Sequence, residues 1–152
     1  MQGSSLTKSE ISAHLDIFDP FLLIDRVEQL IPGKSARGRN QLADTEWFFQ
    51  CHLPRERAMP GTLLTEAMLQ TLVLTIYTME GHQGKPSFVT EMRTKLFSKV
   101  IPGEELIIEA TLSSYSRGIA KGEALGKQGN KKVCWGEFTF ASPHDLPRPT
   151  RP

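Results

Sequence analysis

Between Gly61 and Met79 the chain reads GTLLTEAMLQTLVLTIYTM, a segment whose single charge is Glu66. As a helix it is apolar or small-polar around its whole circumference, and such a helix belongs inside a domain rather than on its surface. The rest of the chain must therefore cover it. A carboxylate there must be paired, carry a shifted pKa or perform a task, because an isolated buried charge is costly. No basic residue occupies a nearby helix position, and Gln70, one turn after Glu66 on the same face, is neutral. His52, one of four histidines, lies just ahead of the turn-forming Met59-Pro60-Gly61.

The flanking sequence supplies the cover as strands. Residues 1–8 are expected to be mobile, with one helical turn over 9–14 capped by Ser9. Pro20 opens a strand that closes at Pro32-Gly33, and a polar, alternating strand over 34–43 is expected at a sheet edge. A short aromatic stretch, 45–49, precedes the irregular HLPRERAMPG; the central helix then spans 62–80, closed by Gly81. Strands follow over 87–100, 104–115, 118–127 and 133–140, with turns at Pro102-Gly103, Arg117-Gly118 and Gly129-Asn130. One long helix with mostly antiparallel strands makes an α+β domain, residues 1–142. The sheet wraps the helix, as in a hot-dog fold. Residues 143–152 hold four prolines and read as a flexible tail.

The 152 residues suffice for one domain with its own core. A net charge of +1, from 18 basic and 17 acidic residues, gives no case for a nucleic-acid or membrane-surface protein. Glu66, Gln70 and several threonines also argue against segment 61–79 as a membrane span. Cys51 and Cys134 make no disulfide framework, and the N-terminus has no apolar signal-like run, so a cytoplasmic setting is expected. Cys51 is expected to be a small buried residue. The cysteines and scattered histidines lack the spacing of a metal site.

PFLLIDRV at 20–27, FFQCHLP at 48–54, MPGTLLTEAMLQ at 59–70 and KLFSKVIPGEEL at 95–106 together resemble the β-hydroxyacyl-acyl-carrier-protein dehydratases. The resemblance covers about residues 15–141. Its most specific element is a histidine, seven residues, Pro-Gly, and a carboxylate five residues after the glycine on an apolar helix. It implies a hot-dog homodimer, often a trimer of dimers, with no cofactor beyond the phosphopantetheine arm of an acyl carrier protein that presents the substrate. It also implies catalysis by His52 of one subunit and Glu66 of the other. Glutamate at position 66 is similar to the dehydratase-only branch, whereas Cys51-His52 is similar to the branch that also isomerises. The carboxylate sits on the helix that carries the fold, so the dehydratase-only branch is favoured.

Dehydrating a 3-hydroxyacyl thioester means removing a proton from C2 and expelling the C3 hydroxyl. Imidazole is the usual base for such work near neutral pH, and a carboxyl group in apolar surroundings can supply the leaving group's proton. Free amides at Gly61 and Thr62, at the positive end of a helix, suit the thioester carbonyl as charge develops on it, and Gln70 can orient Glu66. The helix face Leu63, Leu64, Met68 and Leu72 reads as core first and tunnel wall second. Arg55, Arg57, Arg93, Lys95 and Lys99 are candidates for an acidic carrier protein, against a reading as scattered solvated charge.

Three departures from the resemblance stand out. Arg55 and Arg57 stand where glycine and proline are usual after the histidine; Ile17-Phe18-Asp19 replaces His-Arg-Tyr; Leu53 replaces phenylalanine. These suggest a specialised member serving polyketide, polyene or secondary lipid synthesis. Two other readings stay open: a non-catalytic module binding an acyl chain or partner, and another thioester reaction, hydrolysis or isomerisation, on the same fold.

Overall fold

The computed structural model describes residues 2–150. At its centre is α3, Gly61–Tyr77, in which every residue from Ala67 to Ile76 is buried. Burial on all sides, the premise of the sequence argument, is thus what the structure contains. The cover is a seven-stranded sheet: β1 (Ser4–Leu6), β2 (Arg26–Ile31), β3 (Ser35–Asn40), β4 (Phe88–Leu96), β5 (Leu106–Ser116), β6 (Ile119–Gln128) and β7 (Lys131–Ala141). Every neighbouring pair is antiparallel, in the order β1-β2-β3-β5-β6-β7-β4. The helix packs against β2, β3, β5, β6 and β7, and a short helix, α1 (Lys8–Leu15), closes another side of it. A second short helix, α2 (Trp47–Cys51), buries Phe48 and Phe49 ahead of the loop to α3.

The polar strand expected at an edge is instead internal, between β2 and β5. Its polar alternation belongs to the outer face, where Arg39 pairs with Glu28 at 2.6 Å and Arg37 with Glu109 at 2.9 Å. The inward row is Ala36, Gly38 and Asn40, all buried. A Cβ on Gly38 would come within 2.6 Å of Thr71 Oγ1 on α3, so small residues here let sheet and helix approach closely. Asn40 is satisfied: its amide donates to the Leu23 carbonyl at 2.6 Å, and its oxygen accepts from the Leu42 amide at 2.8 Å.

The strand expected from Pro20 begins only at Arg26, although Leu22, Leu23 and Ile24 are buried before it. The N-terminus expected to be mobile forms β1 from residue 4 and pairs with β2. Helix α1 has two turns rather than one, and its cap is Thr7, not Ser9: Thr7 Oγ1 accepts from the Glu10 amide while Glu10 accepts from the Thr7 amide. The segment read as a flexible tail from residue 143 starts with a 3-10 turn, Pro143–Asp145. Ser142 is buried there, and its amide donates to the Gly118 carbonyl at 2.7 Å.

The sheet's real edges are β1 and β4. Strand β4 is nine residues long and exposed along almost its whole length, with Phe88, Met92 and Leu96 each more than half exposed. A long edge strand with exposed apolar side chains and unpaired backbone groups, even interleaved with Glu91, Arg93 and Lys95 as here, can receive another strand.

Candidate active site

The start of α3 is fixed from both sides. The Met59 amide donates to the Val100 carbonyl at 3.0 Å, and the Leu63 and Leu64 amides both use the Pro60 carbonyl at 3.0 Å. Among the described residues, the Gly61 and Thr62 amides have no acceptor, as expected of a helix's first turn. A Cβ on Gly61 would overlap Cδ1 of Leu96 at the end of β4, so the absent side chain admits that leucine as well as leaving the amide approachable.

His52 is the C-terminal cap of α2, half-buried, with its own amide donating to the Phe48 carbonyl at 2.9 Å. Its Nδ1 lies 3.0 Å from the Ala58 carbonyl. A carbonyl only accepts, so Nδ1 carries the proton and Nε2 is left with a free lone pair. The loop that supplies this carbonyl departs from a proline-shaped path: Arg57 has φ +50° and Leu53 +45°. Proline holds φ near −65°, so the chain's path at residue 57 is one a proline could not take.

Glu66 is half-buried, and burial raises its carboxyl pKa, with an opposing effect from the Gln70 hydrogen bond. Gln70 donates to Glu66 Oε1 at 3.2 Å and to the Phe21 carbonyl at 2.9 Å, while its own oxygen accepts from the Leu23 amide at 2.9 Å. Gln70 thus links the Glu66 carboxyl to the backbone ahead of β2. Glu66 and Gln70 form one wall of a groove of about 240 Å³ with Leu69, Val73 and Tyr77 of α3; Ile17, Phe88, Val89 and Phe140 lie opposite.

The helix face read as core first and tunnel wall second is core, and the groove wall lies on another face. Leu64, Met68 and Leu72 are at most 2% exposed and belong to the core, with Leu63 packed against it. Residues 66, 69, 70, 73 and 77 follow a helical repeat of three and four and so share one face. The facing residues Ile17, Phe88 and Val89 come from distant segments, and no local signal joins them.

Within one chain, His52 does not line the groove that holds Glu66, and no hydrogen bond links the two. Four of the five basic candidates have partners rather than forming a free cluster. Arg57 pairs with Asp44, Lys99 with Glu56 at 2.9 Å and Arg93 with Glu137 at 3.3 Å; Arg93 and Lys95 also stand over the Trp135 ring. Arg55 is exposed in the loop after His52. Cys51 is exposed rather than buried as expected, with its thiol 3.3 Å from the Trp47 carbonyl. Cys134 is buried, which pushes its thiol pKa to about 11.

Residues 18–137 match the FabA-like domain family. The 3-hydroxyacyl-[acyl-carrier-protein] dehydratase FabZ of Roseiflexus sp. (strain RS-1) is 37% identical over 137 residues, which is 90% of this chain and 96% of the relative. The enzyme of the same name from Caldicellulosiruptor saccharolyticus is 39% identical over 123 residues, covering 80% and 88%. Among solved structures, zebra fish thioesterase superfamily member 2 superposes with a TM-score of 0.71 at 18% identity, covering 90% of this chain and 99% of that one, a likeness of fold.

Proposed function

The chain belongs to the FabA-like family, and from that premise we propose that it dehydrates 3-hydroxyacyl thioesters on an acyl carrier protein to trans-2-enoyl thioesters. The observation that carries this reading is Glu66: a half-buried carboxyl on an otherwise neutral helix, held by Gln70 at the side of an apolar groove.

The chemistry divides between residues already described. His52 Nε2 takes the C2 proton, and the electron pair moves toward the thioester carbonyl, whose oxygen meets the Gly61 and Thr62 amides. The pair then forms the C2–C3 double bond as the C3–O bond breaks. Protonated Glu66 gives its proton to the departing hydroxyl, which leaves as water. One proton is taken and one given, and exchange with solvent resets both groups. The reaction needs no metal or nucleotide.

His52 and Glu66 act across a homodimer in this proposal. Support comes from the absence of His52 from the lining of the groove that holds Glu66, and from the exposed edge of β4, along which a second copy can pair. An acyl chain fits the apolar groove, and Arg55, exposed in the loop after His52, is available to an acidic carrier. Among the described residues no helix is long and apolar enough to cross a membrane. We place the enzyme in the cytoplasm. The loop at Arg55 and Arg57 favours a specialised, polyketide- or polyene-type substrate over a housekeeping one.

The test is incubation with a 3-hydroxyacyl carrier protein, followed by mass. Loss of one water from the wild type, and none from His52→Ala or Glu66→Gln, is the expected result. No enoyl product, or full activity in both variants, overturns it; release of a free acid would indicate hydrolysis instead.

A further inference from the structure

Away from the groove, His82 of the loop after α3 meets His144 and Asp145 of the 3-10 turn. We propose that these three side chains are a zinc-type metal site that clasps the C-terminal segment to that loop.

The donor atoms approach the spacing an ion requires, with each nitrogen of His82 near a different partner. His144 Nε2 lies 3.3 Å from His82 Nδ1 and 3.6 Å from Asp145 Oδ2, and His82 Nε2 lies 3.7 Å from the same oxygen. Zinc bonds to imidazole nitrogen and carboxylate oxygen of about 2.0–2.2 Å set tetrahedral ligand atoms roughly 3.3–3.6 Å apart. One donor from each residue falls within 4.8 Å of the others, so a small turn of the His82 ring completes the set. Two imidazoles with one carboxylate suit zinc and its transition-metal neighbours rather than calcium or magnesium, which take oxygen ligands.

The surroundings hold these ligands as outer partners do in metal sites. Tyr115 donates to Asp145 Oδ2 at 2.5 Å, and its ring stands edge-on to the His82 ring with centroids 5.2 Å apart. The turn itself is anchored by the Ser142 amide on the Gly118 carbonyl and by Ser142 Oγ, 2.6 Å from Ser87 Oγ. His82 and His144 are mostly covered and Asp145 is more open, leaving the fourth position to water. Three protein ligands on two separate segments, with one position open to water, would tie the C-terminal turn to the loop after α3. Ser87 and Tyr77, bonded to each other, line the groove, so the clasp also steadies that end of its wall.

Chelator-treated full-length protein is titrated with Zn²⁺ by calorimetry, with Co²⁺ as a spectroscopic probe. One Zn²⁺ per chain, tetrahedral Co²⁺ absorption and a higher Tm are expected in the wild type and in His52→Ala. Zn²⁺ affinity should fall at least tenfold, and the Tm rise vanish, in His144→Ala and in His82→Gln. Metal-free His144→Ala should retain its circular dichroism and its dehydratase rate. Equal affinity in wild type and His144→Ala, or wild-type binding weaker than about 100 μM, which is worth only some 5 kcal/mol, overturns the proposal. Binding lost in His52→Ala overturns it too, by locating the ion at the other histidine.

Discussion

Gln70 donates to Glu66 Oε1 at 3.2 Å while its remaining capacity is taken by the Phe21 carbonyl and the Leu23 amide, both at 2.9 Å. The carboxyl is thereby tied to the segment ahead of β2. Gln70 is only 1% exposed, so no water replaces these bonds freely. Gln70→Met keeps the volume but leaves a buried N–H and C=O unpaired, at about 1–3 kcal/mol each. Denaturant unfolding should show a loss of about 2–4 kcal/mol. Turnover should fall with little change in KM, because Glu66 loses its orientation rather than the groove its shape.

The pH dependence of Glu66 has a definite sign. Its folded-state pKa is raised above 4.5 by burial, whereas in the unfolded chain it is not. The folded state therefore holds the proton more tightly, and the resulting stabilisation is present below the unfolded pKa and lost as pH rises through the folded value. Glu66→Gln cannot titrate. Relative to this variant, the wild type should become steadily less stable as pH rises from 4 through the folded-state pKa, and then level off. Paired thermal melts of the two proteins across that range provide the check; a constant difference would mean that the carboxyl is not desolvated.

The β4 edge predicts oligomeric state and activity together. Met92 lies in the middle of this edge strand and is 55% exposed. A lysine there is a device that natural edge strands use against pairing. Met92→Lys should shift the protein from dimer to monomer by light scattering, with native circular dichroism. Activity should fall at least a hundredfold, the scale of losing an acid–base partner. A fully active monomer would remove the cross-subunit site.

How far the sequence carried these expectations depends on the range of the signal. The burial of α3 was legible because ten successive residues, 67–76, carry no charge. The Thr7-Glu10 capping box was equally legible in the spacing TKSE, which places the cap two residues before Ser9. Strand β3 misled for a physical reason: Ala36 and Gly38 are inward because they are small, while Arg37 and Arg39 dominate its composition. Hydrophobicity alone therefore placed an internal strand at an edge. The groove faced residues 69, 73 and 77 rather than 64, 68 and 72 because which side of an all-apolar helix the sheet leaves open is decided by packing, not by period. His82 and His144 meet only through the return of the chain after β7, 62 residues on.

Gly61 has two candidate reasons to be glycine, and one pair of substitutions separates them. Its Cα faces Leu96 Cδ1 closely enough that any Cβ would overlap it, and its amide points from the first turn of α3 with no acceptor. Leu96 is 52% exposed and flexible, so in Gly61→Ala its side chain can swing aside. The stability cost should stay below about 1 kcal/mol, less than for overpacking a closed core. If the glycine matters only for that contact, Gly61→Ala should be nearly as active as wild type, and Leu96→Ala should recover any lost stability and turnover together. If its open face admits the thioester oxygen, Gly61→Ala should lose about 10–1000-fold in kcat, the scale of impairing one oxyanion donor. Adding Leu96→Ala should then restore the Tm but not the rate. Melting curves and steady-state kinetics on the single and double variants distinguish the outcomes, and the second is expected.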